Sequence, residues 1–121
     1  MSRDGVIAVI DDDPSVCRAL SRLLLSAGFK VQLFCSGEDF LERNSLDQTG
    51  CIVLDMHLLG MNGLELQTRL IDEKRDFPIV FITAVDDASV RRTALGNGAI
   101  AFLSKPLDTA YLLELVETIM A

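Results

Sequence analysis

The chain has 121 residues, half of them hydrophobic, and a formal net charge of −7. That length makes one domain, long enough to bury a core without disulfides or a structural metal. The acidity argues against nucleic-acid binding by the domain itself, which needs a basic footprint, and no apolar run approaches the roughly 18 residues of a membrane span. The start, Met1-Ser2-Arg3-Asp4, has no basic region leading into an apolar segment and a cleavage site, so no signal peptide, no membrane partner and a cytoplasmic location are expected.

Val6-Ile7-Ala8-Val9-Ile10 is a short apolar run that stops at Asp11-Asp12-Asp13, the pattern of a strand buried on both faces. Asp13-Pro14 is a helix start, with Asp as N-cap and Pro where no backbone N–H is needed. Val16, Leu20, Leu23, Leu24 and Ala27 recur at helical spacing, and Gly28 closes the helix in a left-handed C-terminal position. Val31-Gln32-Leu33-Phe34 is shorter and broken by a polar residue, which suits a strand near the sheet edge. Ser36 can cap a short helix carrying Phe40 and Leu41, and a polar connection from Asn44 to Gly50 follows.

Cys51-Ile52-Val53-Leu54-Asp55 is the second apolar run that ends on a carboxylate. The loop after it, Met56 to Gly63, contains Gly60, Asn62 and Gly63, which suggest positive φ. Asn62 can also cap the next helix, in which Leu66 and Leu70, and Leu64 and Ile71, form stacked pairs. Phe77-Pro78 leads into Ile79-Val80-Phe81-Ile82, ending at Thr83. Asp87 or Ser89 opens a helix whose only apolar stripe is Val90, Ala94 and Leu95, the weakest helix signal in the chain, and Gly96-Asn97-Gly98 stops it. Ile100 to Ser104 reads as a strand, Lys105-Pro106 forces a turn, and Asp108 or Thr109 caps a last helix carrying Leu112, Leu115, Val116 and Ile119. About five βα units in succession mean a parallel sheet covered on both faces. Cys17, Cys35 and Cys51 are odd in number and lack metal-ligand spacing, so they are expected as small reduced core residues. Met56, Met61 and Met120 are expected as packing residues, and His57 as a solvated loop side chain.

In open α/β sheets ligands sit outside the carboxyl ends of the strands. Asp11, Asp12 and Asp55 are expected to crowd together there, and like charges about 4 Å apart repel by several kcal/mol. A hard divalent cation with oxygen ligands, such as Mg²⁺, is expected to relieve that repulsion. Lys105 brings an ammonium to the same edge, Thr83 a hydroxyl and Ala84 a backbone N–H. Together these describe a site for a phosphoryl group, with one Asp attacking phosphorus in line.

The residues that carry this reading resemble those of the receiver domain of two-component response regulators. They are Asp11-Asp12 after the first strand, Asp55 after the third, Thr83-Ala84 after the fourth and Lys105-Pro106 after the fifth, and the likeness spans Val6 to the last helix. Gly98 to Pro106 resembles the nodulation and nitrogen-fixation type of regulator, which ends in a helix-turn-helix. The resemblance implies a single flavodoxin-like (βα)5 domain over residues 1–121 with strand order 2-1-3-4-5. It implies Asp55 as acceptor of a phosphoryl group from a sensor histidine kinase. Asp11, Asp12, Asp55 and the His57 carbonyl would hold Mg²⁺ or Mn²⁺, and Thr83, Ala84 and Lys105 would contact the phosphoryl group. Pro106 would follow a cis peptide, and Phe102 would take an aromatic switch position, turning inward as Thr83 moves towards the phosphate. It further implies a signalling switch rather than an enzyme, a phosphorylation-dependent homodimer and a linked DNA-binding effector domain.

Two stretches depart from the family pattern. Leu58-Leu59 stands where Met-Pro is usual and Gly60 follows, so this loop is expected to be less restrained. Val85-Asp86 stands where an aromatic or His and then Gly are usual, placing an added acid beside the site. A haloacid-dehalogenase-type phosphatase also uses an Asp nucleophile, and Asp11 and Asp13 spell Asp-x-Asp. That family wants a further acidic pair after its lysine and a cap insertion; here only Asp108 and scattered glutamates follow Lys105. A receiver-like interaction module that carries no phosphate would normally have lost one of the acids or Lys105, and none is lost.

Overall fold

The computed structural model describes residues 5–43 and 48–121. In chain order it contains β1 (Val6–Ile10), α1 (Pro14–Ser26), β2 (Lys30–Phe34), α2 (Gly37–Arg43) and β3 (Thr49–Asp55). α3 (Gly63–Asp72), β4 (Ile79–Thr83), α4 (Ala88–Gly96), β5 (Ala101–Ser104) and α5 (Thr109–Ile119) complete it. All strand pairs are parallel and the sheet order is β2-β1-β3-β4-β5, as expected.

Alternation along the strands divides the core in two. Ile7, Val9, Cys51, Val53, Val80 and Ile82 face α1 and α5, where Leu20, Leu24, Leu112 and Val116 meet them. Ala8, Ile10, Ile52, Leu54, Ile79 and Phe81 face the other way, onto Phe40, Leu66, Leu70 and Ala94. Side chains on both faces of β1, β3 and β4 are therefore buried, which is why these strands read as continuous apolar runs rather than alternating ones. The outer strand β2 is partly exposed along most of its length, consistent with its interrupted sequence.

The helix starts follow the sequence. Asp13 accepts the Ser15 N–H, Asp87 those of Ser89 and Val90, and Asp108 that of Tyr111. Ser36 accepts the Asp39 N–H at the start of α2, and Asn62 and Glu65 form a reciprocal capping box. Gly28 has φ +92°, immediately past the α1 cap.

Several expectations are corrected. Leu64 packs against the core, but Ile71 is half exposed and does not join it there, and Leu95 on α4 is likewise exposed. Ile100 precedes β5 and is half exposed. β3 starts at Thr49, so Thr49 and Gly50 belong to the strand and not to the connection before it; positions 44–47 of that connection lie outside the described residues. Cys17 and Cys51 are buried, but Cys35, just past the end of the edge strand, is exposed. Met56 and Met120 pack in the core and Met61 against it. Among the described residues no helix is long and apolar enough to cross a membrane.

Candidate functional site

The strand register brings the polar strand ends together. Ile10, the residue before Asp11, lies opposite Leu54; Asp55 lies opposite Ile82, and Thr83 opposite Ser104, the residue before Lys105. Asp11 and Asp55 are buried at 1% and 5% exposure, whereas Asp12 is exposed. One carboxylate oxygen from each of the three lies within 4.8 Å of the others. The Lys105 ammonium is 3.2 Å from Asp11 Oδ2 and 3.8 Å from Asp55 Oδ2.

Burial pushes the Asp11 carboxyl above its usual range, and repulsion from Asp55 adds to this. The Asp13 N–H, donated to Asp11 Oδ1 at 2.9 Å, and the Lys105 ammonium pull the other way. Three carboxylates against one ammonium leave the cluster two negative charges. An all-oxygen donor set of that charge fits a hard divalent cation such as Mg²⁺, with Asp11, Asp12 and Asp55 as the side chains that would hold it. Cys17 is no competing soft ligand: its thiol donates to the Asp11 carbonyl at 3.2 Å, and burial pushes it up from its ordinary value.

The other expected residues sit around this cluster with different engagements. The His57 side chain is exposed, and its backbone N–H donates to Asp55 Oδ1 at 3.2 Å. Ala84 is exposed at the end of β4. Thr83 is buried, with its hydroxyl donating to the Val85 carbonyl at 2.9 Å and accepting the Val85 N–H at 3.1 Å. That hydroxyl is thus closed into its own turn. Lys105 donates its backbone N–H to the Thr83 carbonyl at 2.7 Å, and the Lys105-Pro106 peptide is cis.

Phe102 is already buried, its ring 6.1 Å from that of Phe81. The Arg91 guanidinium of α4 lies over it, 5.5 Å from the centroid, and also pairs with Asp86 at 2.7 Å. Sequence reasoning missed Arg91. Its only signal is that Asp86 and Arg91 flank the start of a helix.

The loop from Met56 to Asn62 carries two tethers from other elements. The Leu59 N–H donates to Asp12 Oδ2 at 3.3 Å, and the Met61 N–H donates to Glu38 Oε2 at 3.1 Å, so acids from two other elements hold it. Gly60 does have positive φ, +74°, but Gly63 and Asn62 do not. Gly63 is required for closeness instead: a Cβ there would lie 3.0 Å from the Asp55 carbonyl oxygen, from Met56 Cα and from the Phe81 ring.

Residues 7–117 match the family model of the response regulator receiver domain. Over 115 residues the chain is 38% identical to nodulation protein W of Bradyrhizobium diazoefficiens, covering 95% of this chain and 51% of that protein. It is 36% identical over 118 residues to the transcriptional regulatory protein FixJ of the same organism, covering 98% and 58%. Among solved structures, the response regulator StyR superposes with a TM-score of 0.90 at 44% identity, covering 97% of this chain and 59% of that one. The FixJ-N crystal structure gives 0.85 at 29% identity, covering 97% and 94%. The chain spans about half the length of the curated relatives it matches. It belongs to the response regulator receiver domain family.

Proposed function

We propose that this receiver domain accepts a phosphoryl group on Asp55 from the histidine of a sensor kinase, in a reaction that requires Mg²⁺ or Mn²⁺. The observation that carries the reading is the cluster of Asp11, Asp12 and Asp55 oxygens within 4.8 Å, with the Lys105 ammonium beside two of them. An Asp55 oxygen forms the new O–P bond as the N–P bond to the donor imidazole breaks, and the electron pair leaves on that nitrogen. The Lys105 ammonium, 3.2 Å from Asp11 Oδ2 and 3.8 Å from Asp55 Oδ2, would exchange its Asp11 partner for a phosphoryl oxygen and neutralise it. A bound divalent cation supplies charge neutralisation of the phosphoryl oxygens.

Thr83 would reach the phosphoryl group only by leaving the Val85 carbonyl, which changes the turn that leads into α4. Phosphorylation adds about −1.5 to −2 charge units, and this turn is the adjacent element that must respond. Phe102, already buried beneath Arg91, would serve as the packing side of that response and not as a ring swinging in from solvent. Ala84 would offer its N–H to a phosphoryl oxygen and the His57 carbonyl would complete the cation's ligands. Pro106 would shape the turn that holds Lys105 in place.

The curated relatives, one of them named a transcriptional regulatory protein, are about twice as long as the aligned region. Residues 1–121 are accordingly read as the receiver of a cytoplasmic regulator whose linked DNA-binding domain controls transcription, with phosphorylation-dependent dimerisation as its output step. The chain itself acts as a switch and promotes only its own phosphorylation and dephosphorylation. The test is intact mass after incubation with acetyl phosphate and Mg²⁺. One added phosphoryl group is expected, lost in Asp55→Asn and without Mg²⁺. No gain overturns the assignment in favour of a phosphate-independent module, and an equal gain in Asp55→Asn overturns Asp55 as the acceptor.

A further inference from the structure

We propose that the Leu59 backbone amide competes with the divalent cation for the Asp12 carboxylate, so that cation binding and the conformation of the β3–α3 loop are coupled through Asp12. The inference rests on the cation reading of the acidic cluster and adds to it a role for a residue outside the cluster. Asp12 is the exposed member of the three acids, and its Oδ2 accepts the Leu59 N–H at 3.3 Å across the mouth of the site. Leu59 can make this bond because it is not proline; a proline there has no N–H to donate. One carboxylate thus has two claimants: a cation that would draw its oxygens closer than the 4.8 Å spacing of the three acids, and the Leu59 amide on the other side of the mouth.

The loop is built to respond when Asp12 lets go. Two carboxylates, Asp12 and Glu38, hold its middle, and the Leu59 side chain contributes no anchorage, being 82% exposed. Gly60, at φ +74°, lies between the two held amides, and its missing Cβ leaves room for the Glu38 carboxylate 2.9 Å from where that atom would sit. Releasing Leu59 therefore frees the stretch at Leu59 and Gly60, between the buried Leu58 and the Met61 amide that Glu38 keeps in place. By linkage the effect is reciprocal: whatever the cation does to the amide bond, the bond does to cation affinity.

The test uses Mg²⁺ alone on the whole chain. Calorimetric titration is expected to show Leu59→Pro binding Mg²⁺ about two- to tenfold more tightly than wild type, the range that one partly exposed hydrogen bond supplies. Leu59→Ala, which keeps the N–H, is expected to match wild type. Since Leu59→Pro can disturb the loop by itself, the second readout is hydrogen exchange of the Leu59 amide in the unaltered protein. Saturating Mg²⁺ is expected to speed that exchange while the Met61 amide stays protected. Mg²⁺ binding that leaves Leu59 exchange unchanged or slower, or a proline variant with wild-type affinity, overturns the coupling alone. Absence of any Mg²⁺ binding overturns the cation reading beneath it.

Discussion

Asparagine at position 11 tests whether the acidic cluster is kept at the expense of the fold. Asp11→Asn retains the Oδ1 acceptor for the Asp13 N–H and removes only the charge. At an effective dielectric of about 20, Lys105 at 3.2 Å attracts Asp11 by about 5 kcal/mol. Asp55, within 4.8 Å, repels it by about 3.5 kcal/mol on the same scale, and the exposed Asp12 adds a smaller, water-screened repulsion. These nearly cancel, which leaves the penalty for holding a carboxylate at 1% exposure, several kcal/mol before relaxation. With chelator present and no Mg²⁺, Asp11→Asn is expected to be more stable than wild type by about 1–2 kcal/mol near neutral pH. The sign in pH follows from the raised carboxyl. Below the unfolded value of 3.8 both states hold the proton and the advantage vanishes. As pH rises above 3.8 the unfolded chain ionises first, so wild type loses stability until its folded group has also ionised, and the gap to the variant then stays constant. Urea unfolding followed by far-ultraviolet circular dichroism, across this range, reads the gap. Adding Mg²⁺ at neutral pH is expected to stabilise wild type and to narrow or reverse it. A variant less stable than wild type in chelator, or a gap independent of pH, refutes the reasoning.

Three further outcomes check other parts of the structure. Arg91→Ala removes the Asp86 pair and the contact over Phe102; because Arg91 is partly exposed, global stability should fall by about 1 kcal/mol or less, while amides of α4 exchange faster, and unchanged exchange there would show that Arg91 does not hold the helix. Gly63→Ala drives a Cβ against the Asp55 carbonyl and Met56 backbone, and should lower the urea-derived stability by about 1–3 kcal/mol; a neutral result would mean that α3 can retreat from β3. Native alkylation with iodoacetamide should modify Cys35 first, since Cys17 is buried and burial pushes the Cys51 thiol up to about 12; peptide mapping that finds Cys17 or Cys51 labelled ahead of it would contradict the burial of those two.

The parallel sheet and its converging strand ends were legible because each signal was local: an apolar run, then a carboxylate, hydroxyl or ammonium at its end; the strand order came only from the family resemblance. Helix starts were legible for the same reason, since Asp13, Ser36, Asn62, Asp87 and Asp108 cap amides two or three residues on. The failures were of another kind. Whether Ile71 or Leu95 is covered depends on which neighbouring element lies over that flank, and helical spacing carries no information about it. The loop tethers join residues 47 and 23 positions apart, Asp12 to Leu59 and Glu38 to Met61, and both acceptors are acids that read equally well as solvated. Loss of proline marked the loop as unusual, but that the amide gained would bond to Asp12 could not be read from the sequence.

The weak stripe of α4 was the one irregular signal that carried over into mechanism. α1 buries Cys17, Leu20 and Leu24, and α3 buries Leu66 and Leu70, whereas α4 buries only Ala94. Much of what holds α4 is polar: Gln67 donates to the Ala94 carbonyl at 3.0 Å, Asn97 donates to Gln67 at 3.4 Å, and Arg91 spans Asp86 and the Phe102 ring. A fully buried leucine contributes about 1.5–3 kcal/mol, and a hydrogen bond about 0.5–1.5, so the apolar anchors are the stronger ones. The polar ones are directional as well, and can be exchanged for others without exposing much apolar surface. The helix whose one buried apolar side chain is an alanine directly follows Thr83 and its Val85 turn. Under the proposed function, a change of a few kcal/mol at Asp55 would be large against that anchorage and small against the cores on either face of the sheet, so strain from the site would be released into α4 and not into the strands that hold the acids.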